Sequence, residues 1–313
     1  MLERVNTEKS IVEELIDTDL NERGIRLFVK RDDLIDEVVS GNKWRKLKYN
    51  VELCVFRKKE GVLTFGGAYS NHLIATAAAC KKQGLRSIGI VRGEELNPES
   101  NETLRNCTRF GMKLIFVTRN EYQRRYEKSY HEELSYLYPN FHVVPEGGAN
   151  YYGIIGCQEI IQEVKEDFDH VFVAQGTTTT SCGILMSLHE KQKLHVVPAM
   201  KGYQSIHEMR ALMSKSGMEE DWVKNRLSLV EEHLEFHFGG YGKYTEELLK
   251  YIQFFFRKHR IKLDPIYTGK AMFATMNELK DRRYNNTNVL FIHTGGIQGA
   301  AAIESKSGFY LYD

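Results

Sequence analysis

A lysine stands just after a glycine corner in the stretch SGNKWRK at residues 40–46. A lysine amine becomes nucleophilic near neutral pH when burial or a neighbouring cation lowers its pKa. Arg45 and Lys46 supply cations close in sequence, and Gly41 lets the backbone turn tightly before the lysine. We therefore interpret Lys43 as an amine placed to condense with a carbonyl cofactor. The alternative is a solvated basic cluster at the start of a helix.

Three further stretches carry residues that can bind a phosphate and a small polar substrate. They are GGAYSNH at residues 66–72, QGTTTTSCG at residues 175–183 and DPIYTGK at residues 264–270. Together with the lysine stretch they resemble the pyridoxal-phosphate enzymes of the D-cysteine desulfhydrase and 1-aminocyclopropane-1-carboxylate (ACC) deaminase family, within the fold type II (tryptophan synthase β-like) superfamily. The resemblance covers nearly the whole chain and implies pyridoxal 5'-phosphate as cofactor.

Strands and helices alternate along the sequence in two series, one before and one after residue 150. Such alternation is typical of a parallel sheet wound by helices. We predict an α/β fold of two lobes, each a mostly parallel sheet wound by helices, with the cofactor site in the cleft between them. The resemblance implies that residues 46–150 form a smaller domain, inserted into a larger one made of residues 1–45 and 151–313. Apolar spacing also predicts a helix over residues 2–20.

The resemblance implies roles for individual residues. Lys43 would hold the cofactor covalently and later act as the general base at the α or β carbon of the substrate. The implied catalytic residues are Lys43, Ser70, Tyr241 and Tyr267. The implied cofactor-binding residues are Lys43, Lys46, Asn71, Gly176, Thr177, Thr178, Thr179, Thr180, Thr268 and Gly295. The implied substrate-binding residues are Tyr69, Ser70, Asn71 and His72.

The threonine loop at residues 176–180 lies between a predicted strand and a predicted helix. Exposed backbone N–H groups and the positive end of a helix dipole bind phosphate at such a position. The loop matches neither the nucleoside-triphosphate nor the dinucleotide glycine pattern. Related loops commonly have glycines at Thr178 and Thr179, and β-branched residues resist positive φ. The alternative is a turn that only caps a helix.

Two positions bear on the choice of substrate. By resemblance Thr268 would meet the pyridine nitrogen, where ACC deaminases place glutamate, and His72 stands where those enzymes carry glutamine. We therefore predict β-elimination from D-cysteine or a related β-substituted D-amino acid, which gives pyruvate, sulfide and ammonia. Tyr69 replaces the glutamine that relatives often carry, and we expect it to alter the pocket.

Three alternatives stay open at this point. An ACC deaminase would form 2-oxobutyrate and ammonia. A pyridoxal-phosphate-binding or amino-acid-binding protein without activity fits the same fold, because a fold does not fix an activity. A phosphosugar or nucleotide enzyme fits the threonine loop, although the lysine stretch and the Ser-Asn-His corner argue against it.

Charge and composition exclude several classes of protein. A formal net charge of +1 over 313 residues gives no bulk field for nucleic acid or an anionic membrane. The 5 cysteines are widely spread without a Cys-x-x-Cys pair, which is typical of the reducing cytosol. The first residues lack the apolar core of a signal peptide, and no apolar run reaches the length of a membrane span. We expect a cytoplasmic homodimer that acts on a small amino acid.

Metal catalysis is not expected from the histidines. There are 11 of them, and none forms a set with cysteine or carboxylate at zinc spacing. His233 and His237 are separated by Leu-Glu-Phe, which is not the metalloprotease pattern.

Overall fold

The computed structural model describes residues 7–39 and 41–313. In this part of the chain, the strands are β1 (Val12–Leu15), β2 (Arg26–Lys30), β3 (Gly61–Gly66), β4 (Arg86–Arg92), β5 (Met112–Val117), β6 (Phe141–Val143), β7 (His170–Gln175), β8 (Lys193–Pro198), β9 (Val230–Glu232) and β10 (Asn288–Ile292). The helices are α1 (Thr18–Glu22), α2 (Asn42–Phe56), α3 (Asn71–Lys82), α4 (Glu102–Arg109), α5 (Arg119–Gln123), α6 (Lys128–Leu137), α7 (Tyr151–Gln162), α8 (Thr179–Ser187), α9 (Ser205–Lys215), α10 (Glu220–Leu227), α11 (Glu246–His259), α12 (Thr268–Glu278) and α13 (Gln298–Ser307).

The strands form two sheets. The larger has the order β1-β2-β10-β7-β8-β9, and its neighbours run parallel except for the antiparallel pair β1 and β2. The smaller has the order β5-β4-β3-β6, and all its neighbours are parallel. Helices connect the parallel strands, because such strands need a crossover between them. The predicted α/β fold with two mostly parallel sheets is confirmed.

Apolar residues cover both faces of the larger sheet. Along β2, Leu27 and Val29 enter the core on one face, where α11 and α12 pack, and Phe28 enters the core on the other. Successive side chains of a strand point to opposite faces, so a strand buried on both sides needs a continuous apolar run. This requirement explains why most strands could be located in the sequence.

The helix predicted over residues 2–20 is wrong. The described part contains a 3₁₀ turn at Thr7–Lys9, the strand β1 and the short helix α1 instead, while residues 2–6 lie outside the described residues. The register pairs Leu15 with Leu27, so β1 is the edge of the larger sheet. A short apolar run fits either period, and only the neighbouring strand resolved it.

The starts of two helices affect the site. Helix α2 begins at Asn42, which puts Lys43 in its first turn. Helix α12 begins at Thr268, inside the stretch DPIYTGK.

The strands of the smaller sheet all come from residues 61–143. The loop after β10 in the larger sheet contacts the loop after β3 in the smaller sheet. Gly296 belongs to the first loop and Asn71 follows the second, and a Cβ added to Gly296 would lie 3.7 Å from Nδ2 of Asn71. Carboxyl-terminal strand ends are where α/β folds bind ligands. The proposed division into residues 46–150 and the two flanking segments stays a prediction.

A buried ion-pair cluster fixes helix α2 in place. The guanidinium of Arg45 is fully buried and contacts Asp32 (Nη2–Oδ1, 2.9 Å) and Glu163 (Nη1–Oε1, 2.5 Å). Lys30 is also buried, and its Nζ lies 2.9 Å from Oε2 of Glu163. The cluster joins α2 to β2 and to the end of α7.

Replacing Arg45 with methionine is expected to destabilise the protein strongly. The change leaves Asp32 without its buried counter-charge, which costs about 3–5 kcal/mol of the free energy of unfolding. Urea unfolding followed by circular dichroism measures the loss. The matched control is Arg26→Met, because Arg26 makes a similar two-bond pair with Glu14 on the surface and exposed pairs contribute little. Equal losses for both variants would contradict the argument.

Candidate active site

Gly41 brings the start of α2 against the loop after β10. It has φ +61°, and a Cβ at this position would lie 2.0 Å from the carbonyl oxygen of Thr294. The backbone N–H of Asn42 donates to the same oxygen at 3.2 Å. A side chain at residue 41 is excluded on both counts, so the glycine corner is required by close approach and by conformation.

Lys43 lies in the first turn of α2 with a partly buried side chain. Its Nζ donates to Oδ1 of Asn42 at 2.6 Å, and Nδ2 of Asn42 donates to Oγ1 of Thr180 at 3.0 Å. Burial, and then the cation of Lys46, lower the pKa of the Lys43 amine to about 7, against an opposing attraction from Asp264. Near neutral pH this amine is therefore unprotonated, and so nucleophilic, to a far greater extent than an exposed lysine.

The two cations that the sequence placed beside Lys43 behave differently. Lys46 lies three residues on, on the same face of the helix, and is 3% exposed. Its Nζ donates to Oγ1 of Thr177 at 3.2 Å, and burial lowers its pKa. Arg45 points away into its carboxylate cluster, so the expectation that it lowers the pKa of Lys43 is wrong.

The threonine loop joins β7 to α8 as predicted. Thr178 has φ −68°, and the non-glycine residues with positive φ in the described chain are Lys58, Phe238, Arg260 and Asn286, so no threonine of the loop is strained. The hydroxyls of Thr177 and Thr180 accept from Lys46 and Asn42. Oγ1 of Thr179 is fully buried and has no partner among the described residues. A phosphate at this helix start would supply that partner.

The Ser-Asn-His corner begins α3. Oγ of Ser70 accepts from the backbone N–H of Leu73 at 3.3 Å, which caps the helix and leaves the hydroxyl hydrogen available. Nδ2 of Asn71 faces Gly296, and a Cβ added to that glycine would lie 3.7 Å from this nitrogen. Ser70 and Asn71 therefore lie at the edge where the two sheets meet. Tyr69 precedes them with a side chain that is 67% exposed.

The hydrogen bonds of His72 fix its tautomer. The hydroxyl of Thr64 donates to the carbonyl oxygen of Val144 at 2.8 Å, so its only hydrogen is used. Nε2 of His72, 2.9 Å from that hydroxyl, must be the donor. Nδ1 is then an unprotonated acceptor, and it is buried without a partner among the described residues. Burial, followed by the cations of Lys43 and Lys46, lowers the pKa of His72 to about 3.

Asp264 organises the stretch that carries Tyr267 and Thr268. Its buried carboxylate accepts from the backbone N–H groups of Ile266, Tyr267 and Thr268 at 2.8, 2.8 and 2.9 Å. The hydroxyl of Thr268 donates to Oδ1 of Asp264 at 2.7 Å and accepts from the backbone N–H of Asp264 at 2.9 Å. The sequence presented Asp264 only as part of an Asp-Pro turn, although an aspartate at such a corner is a known cap of the following backbone.

Two tyrosines meet beside the threonine loop. The rings of Tyr241 and Tyr267 lie edge to face with centroids 6.0 Å apart. A Cβ on Gly176 would be 2.9 Å from Cε1 of Tyr267, so the ring lies directly on the loop. Burial, and then the neighbouring Tyr241, raise the pKa of Tyr267 well above its usual value. Tyr267 is therefore a neutral phenol that can donate a hydrogen bond.

Lys270 holds the loop that carries Tyr241. Its Nζ is buried and donates to the carbonyl oxygens of His237 and Gly240 at 2.8 Å each, and to that of Ala199 at 3.5 Å. Burial lowers its pKa to about 8. The sequence contained this lysine in the stretch DPIYTGK but gave no sign that it would reach a loop some thirty residues earlier.

Gly295 and Gly296 continue this wall after β10. They have φ of +77° and +95°, and the backbone N–H of Gly295 donates to Nδ1 of His293 at 3.3 Å. A Cβ on Gly296 would lie 3.4 Å from Oδ1 of Asp264. The loop thus separates Asp264 from Asn71 by little more than a glycine backbone.

These residues fit pyridoxal phosphate. A lysine with a pKa near 7, a glycine-and-threonine loop with an unpartnered buried hydroxyl, and a second buried lysine beside that loop are brought together. An amine of this kind condenses with an aldehyde, and a cationic cradle at a helix start binds its phosphate.

Comparison with known proteins identifies the class. Residues 14–295 match the family model described as pyridoxal-phosphate dependent enzyme, which is most of the chain. The chain belongs to this family, and the protein is a pyridoxal-phosphate-dependent enzyme.

Its relatives carry two related names. The chain is 31% identical over 288 residues to a protein of Pyrococcus furiosus named putative ACC deaminase, covering 88% of this chain and 86% of that one. It is 29% identical over 299 residues to an Arabidopsis thaliana protein named bifunctional D-cysteine desulfhydrase/ACC deaminase, covering 88% and 73%. A crystal structure of an ACC deaminase homologue superposes with a TM-score of 0.76 at 26% identity, covering 96% and 94%. The predicted family is confirmed.

No helix in the described part of the chain is long and apolar enough to cross a membrane. The 5 cysteines are all buried and free.

Replacing Lys46 with methionine should move the titration of Lys43 to higher pH. The cation of Lys46 lowers the pKa of Lys43, so its removal raises that pKa and slows modification of Lys43 at pH 7. Trinitrobenzenesulfonate labelling of cofactor-free protein, read by peptide mass spectrometry, gives the midpoint. Lys48→Met is the control, because that amine is paired with Glu159 at 2.6 Å. The assignment fails if both variants shift the midpoint equally.

Proposed function

We propose that the protein eliminates the β substituent of D-cysteine, or of a related β-substituted D-amino acid, to give pyruvate, sulfide and ammonia. The observation that carries this proposal is Thr268, a neutral residue in the Tyr-Thr-Gly-Lys stretch that resembles the desulfhydrases. The family membership and the names of the relatives support the reaction class.

Five elements would hold the cofactor. Lys43 would bind it covalently, and the threonine loop with Lys46 would bind its phosphate, because both present donors or positive charge there. Asn71 would meet its phenolic oxygen. Thr268 would lie beside its ring nitrogen without donating to it, because the one hydroxyl hydrogen of Thr268 is donated to Asp264. Bound pyridoxal phosphate supplies an electron sink for charge at the α carbon of the substrate.

Lys43 would move the proton from the α carbon. A base works best when its pKa lies near the working pH, and the Lys43 amine titrates near pH 7. Asn42 orients it by accepting one of its hydrogens at 2.6 Å. The same lysine therefore serves to attach the cofactor and then to accept a proton.

The remaining groups suit the recognition of a small amino acid. Ser70 keeps a free hydroxyl hydrogen for a carboxylate, while His72 offers a lone pair at Nδ1 and is uncharged. We therefore propose that His72 accepts a hydrogen bond from the substrate side rather than binding the carboxylate as a cation. Tyr267, a neutral phenol, and Tyr241 would donate to the departing group.

The absence of a negative charge at residue 268 favours desulfhydration over ring opening. A glutamate keeps a proton on the ring nitrogen and strengthens the electron sink, which the cleavage of a cyclopropane without an α hydrogen requires. Threonine adds no charge. Removal of an α proton coupled to the departure of sulfide, a good leaving group, can proceed with a weaker electron sink.

ACC deaminase is the second candidate. The name of the Pyrococcus furiosus relative favours it, and the name of the Arabidopsis thaliana relative includes both activities. It would form 2-oxobutyrate and ammonia with the same lysine and phosphate cradle. A cytoplasmic location and a homodimeric state remain parts of the proposal, supported for the location by the free cysteines.

Parallel assays of the purified holoenzyme decide between the two substrates. We expect sulfide and pyruvate from D-cysteine and at most a trace of 2-oxobutyrate from ACC. Lys43→Ala is the control and should lose both the visible absorption of the bound cofactor and all turnover. Robust turnover of ACC without sulfide from D-cysteine would reverse the order of the two candidates.

Thr179→Val should weaken cofactor binding without destabilising the cofactor-free protein. The substitution removes a buried hydroxyl that has no partner in the described part of the chain, so it removes no observed bond in the absence of phosphate. A hydrogen bond to a charged group contributes about 1.5–3 kcal/mol, so the Kd should rise about tenfold or more. Fluorescence titration with pyridoxal phosphate gives the Kd.

Thr275→Val is the matched control. Its buried hydroxyl donates to the carbonyl oxygen of Ala271 at 2.8 Å within α12, away from the loop. It should lower thermal stability and leave the Kd unchanged. If Thr179→Val leaves the Kd at the wild-type value, the phosphate binds elsewhere.

A further inference from the structure

Three histidines form a row across the larger sheet. His170 lies in β7, His195 lies in β8, and His233 directly follows β9. Nδ1 of His170 lies 2.9 Å from Nε2 of His195, and Nδ1 of His195 lies 3.0 Å from Nε2 of His233. The ring of His195 is fully buried and stacks on Phe172 with centroids 4.2 Å apart. None of these residues takes part in the proposed reaction.

Two carboxylates lie at the end of the row. Nδ1 of His233 is 3.5 Å from Oε1 of Glu278, at the carboxyl end of α12. Glu235 is two residues on in the chain, and one ligand atom from each of the three residues lies within 4.8 Å of the others. His233 is buried, Glu278 is partly buried and Glu235 is exposed, so the cluster opens to solvent on one side.

The charges around His233 leave an excess of negative charge. Glu231, Glu235 and Glu278 all act on it, and the cation that acts with them, among the residues that the structure describes, is Arg283. The guanidinium of Arg283 pairs with Glu278 at 3.0 Å and with Glu231 at 3.1 Å. Three carboxylates facing one guanidinium leave the charge that a divalent cation would balance.

The row orients the ring of His233. The neutral imidazole is the form that binds metals. If Nε2 of His233 donates to His195, and Nε2 of His195 donates to His170, Nδ1 of His233 is left as a lone pair directed at the carboxylates. A metal-binding histidine almost always donates its other ring N–H in this way.

We propose that His233, Glu235 and Glu278 bind a divalent transition-metal ion of the zinc type. One imidazole nitrogen with two carboxylates suits zinc better than calcium or magnesium, which prefer oxygen ligands alone. The site is independent of the proposed reaction.

Bound metal would stiffen the elements that hold the two tyrosines. It would join the turn Leu234–His237 to the end of α12. Thr268 begins the same helix, about 15 Å away at 1.5 Å per residue, and Lys270 of that helix binds the carbonyl oxygen of His237. The expected role is structural, because this distance excludes contact with the reacting atoms.

Zinc titration of the chelator-treated, dialysed holoenzyme tests the site. Calorimetry should show one Zn²⁺ bound per chain, and thermal unfolding should show a higher Tm with Zn²⁺ but not with Mg²⁺. Glu235→Gln and Glu278→Gln should each raise the Kd for Zn²⁺ at least about tenfold. Arg283→Gln should lower that Kd, because it removes the competing cation.

The metal-induced change in Tm, rather than the Tm itself, is compared, so that a less stable variant still gives an answer. Glu247→Gln, on the exposed face of α11, is the control and should bind as the wild type does. Zinc affinity that is unchanged in both glutamine variants of the site would overturn the proposal. An increase in the Kd for Zn²⁺ in the Arg283→Gln variant would also overturn it.

Discussion

The burial of Arg45 is the constraint on which the site depends. A fully buried guanidinium must be paired, and Asp32 and Glu163 pair it from the turn after β2 and from the end of α7. This pairing fixes the rotation of α2 about its own axis. Successive residues of a helix are 100° apart, so the direction of one side chain sets the directions of the others. With Arg45 held on one side, Lys43 and Lys46 face the other. The position of the reactive amine therefore follows from an ion pair that takes no part in the chemistry.

The same contrast of paired and unpaired charge explains the electrostatics of the cleft. Arg45 is neutralised by carboxylates, whereas Lys43, partly buried, lies next to the buried Lys46, and the pKa values of both amines are lowered. His72 is kept uncharged by burial and by these two cations. Asp264 is the acidic group acting on Lys43 within the described chain, and its oxygens are occupied by backbone N–H groups. The cleft thus combines a free amine, an uncharged imidazole and a cationic cradle suited to a phosphate.

Much of this arrangement was accessible from the sequence. The buried strands of the parallel sheets are continuous apolar runs, so β2, β7 and β10 could be located, together with the loops that follow them. The edge strand β1 could not, because a short run of half-buried residues satisfies a helical and a strand period alike, and its partner β2 decided it. The start of α12 was hidden because its cap is formed by Asp264, four residues earlier, rather than by the residue before the helix.

The sequence by itself determined the family and the cofactor, and it predicted which lysine carries that cofactor, because these depend on residue types in short stretches that local backbone geometry keeps together. The tertiary structure decided which way each charge points. Arg45 and Lys46 are neighbours in sequence but point in different directions, and the direction of Arg45 depends on Glu163, which is remote in the chain. Likewise Lys270 supports Tyr241, and His233 meets Glu278, across separations that no local pattern encodes. Long-range contacts are set by how buried faces pack, and packing is a property of the whole chain.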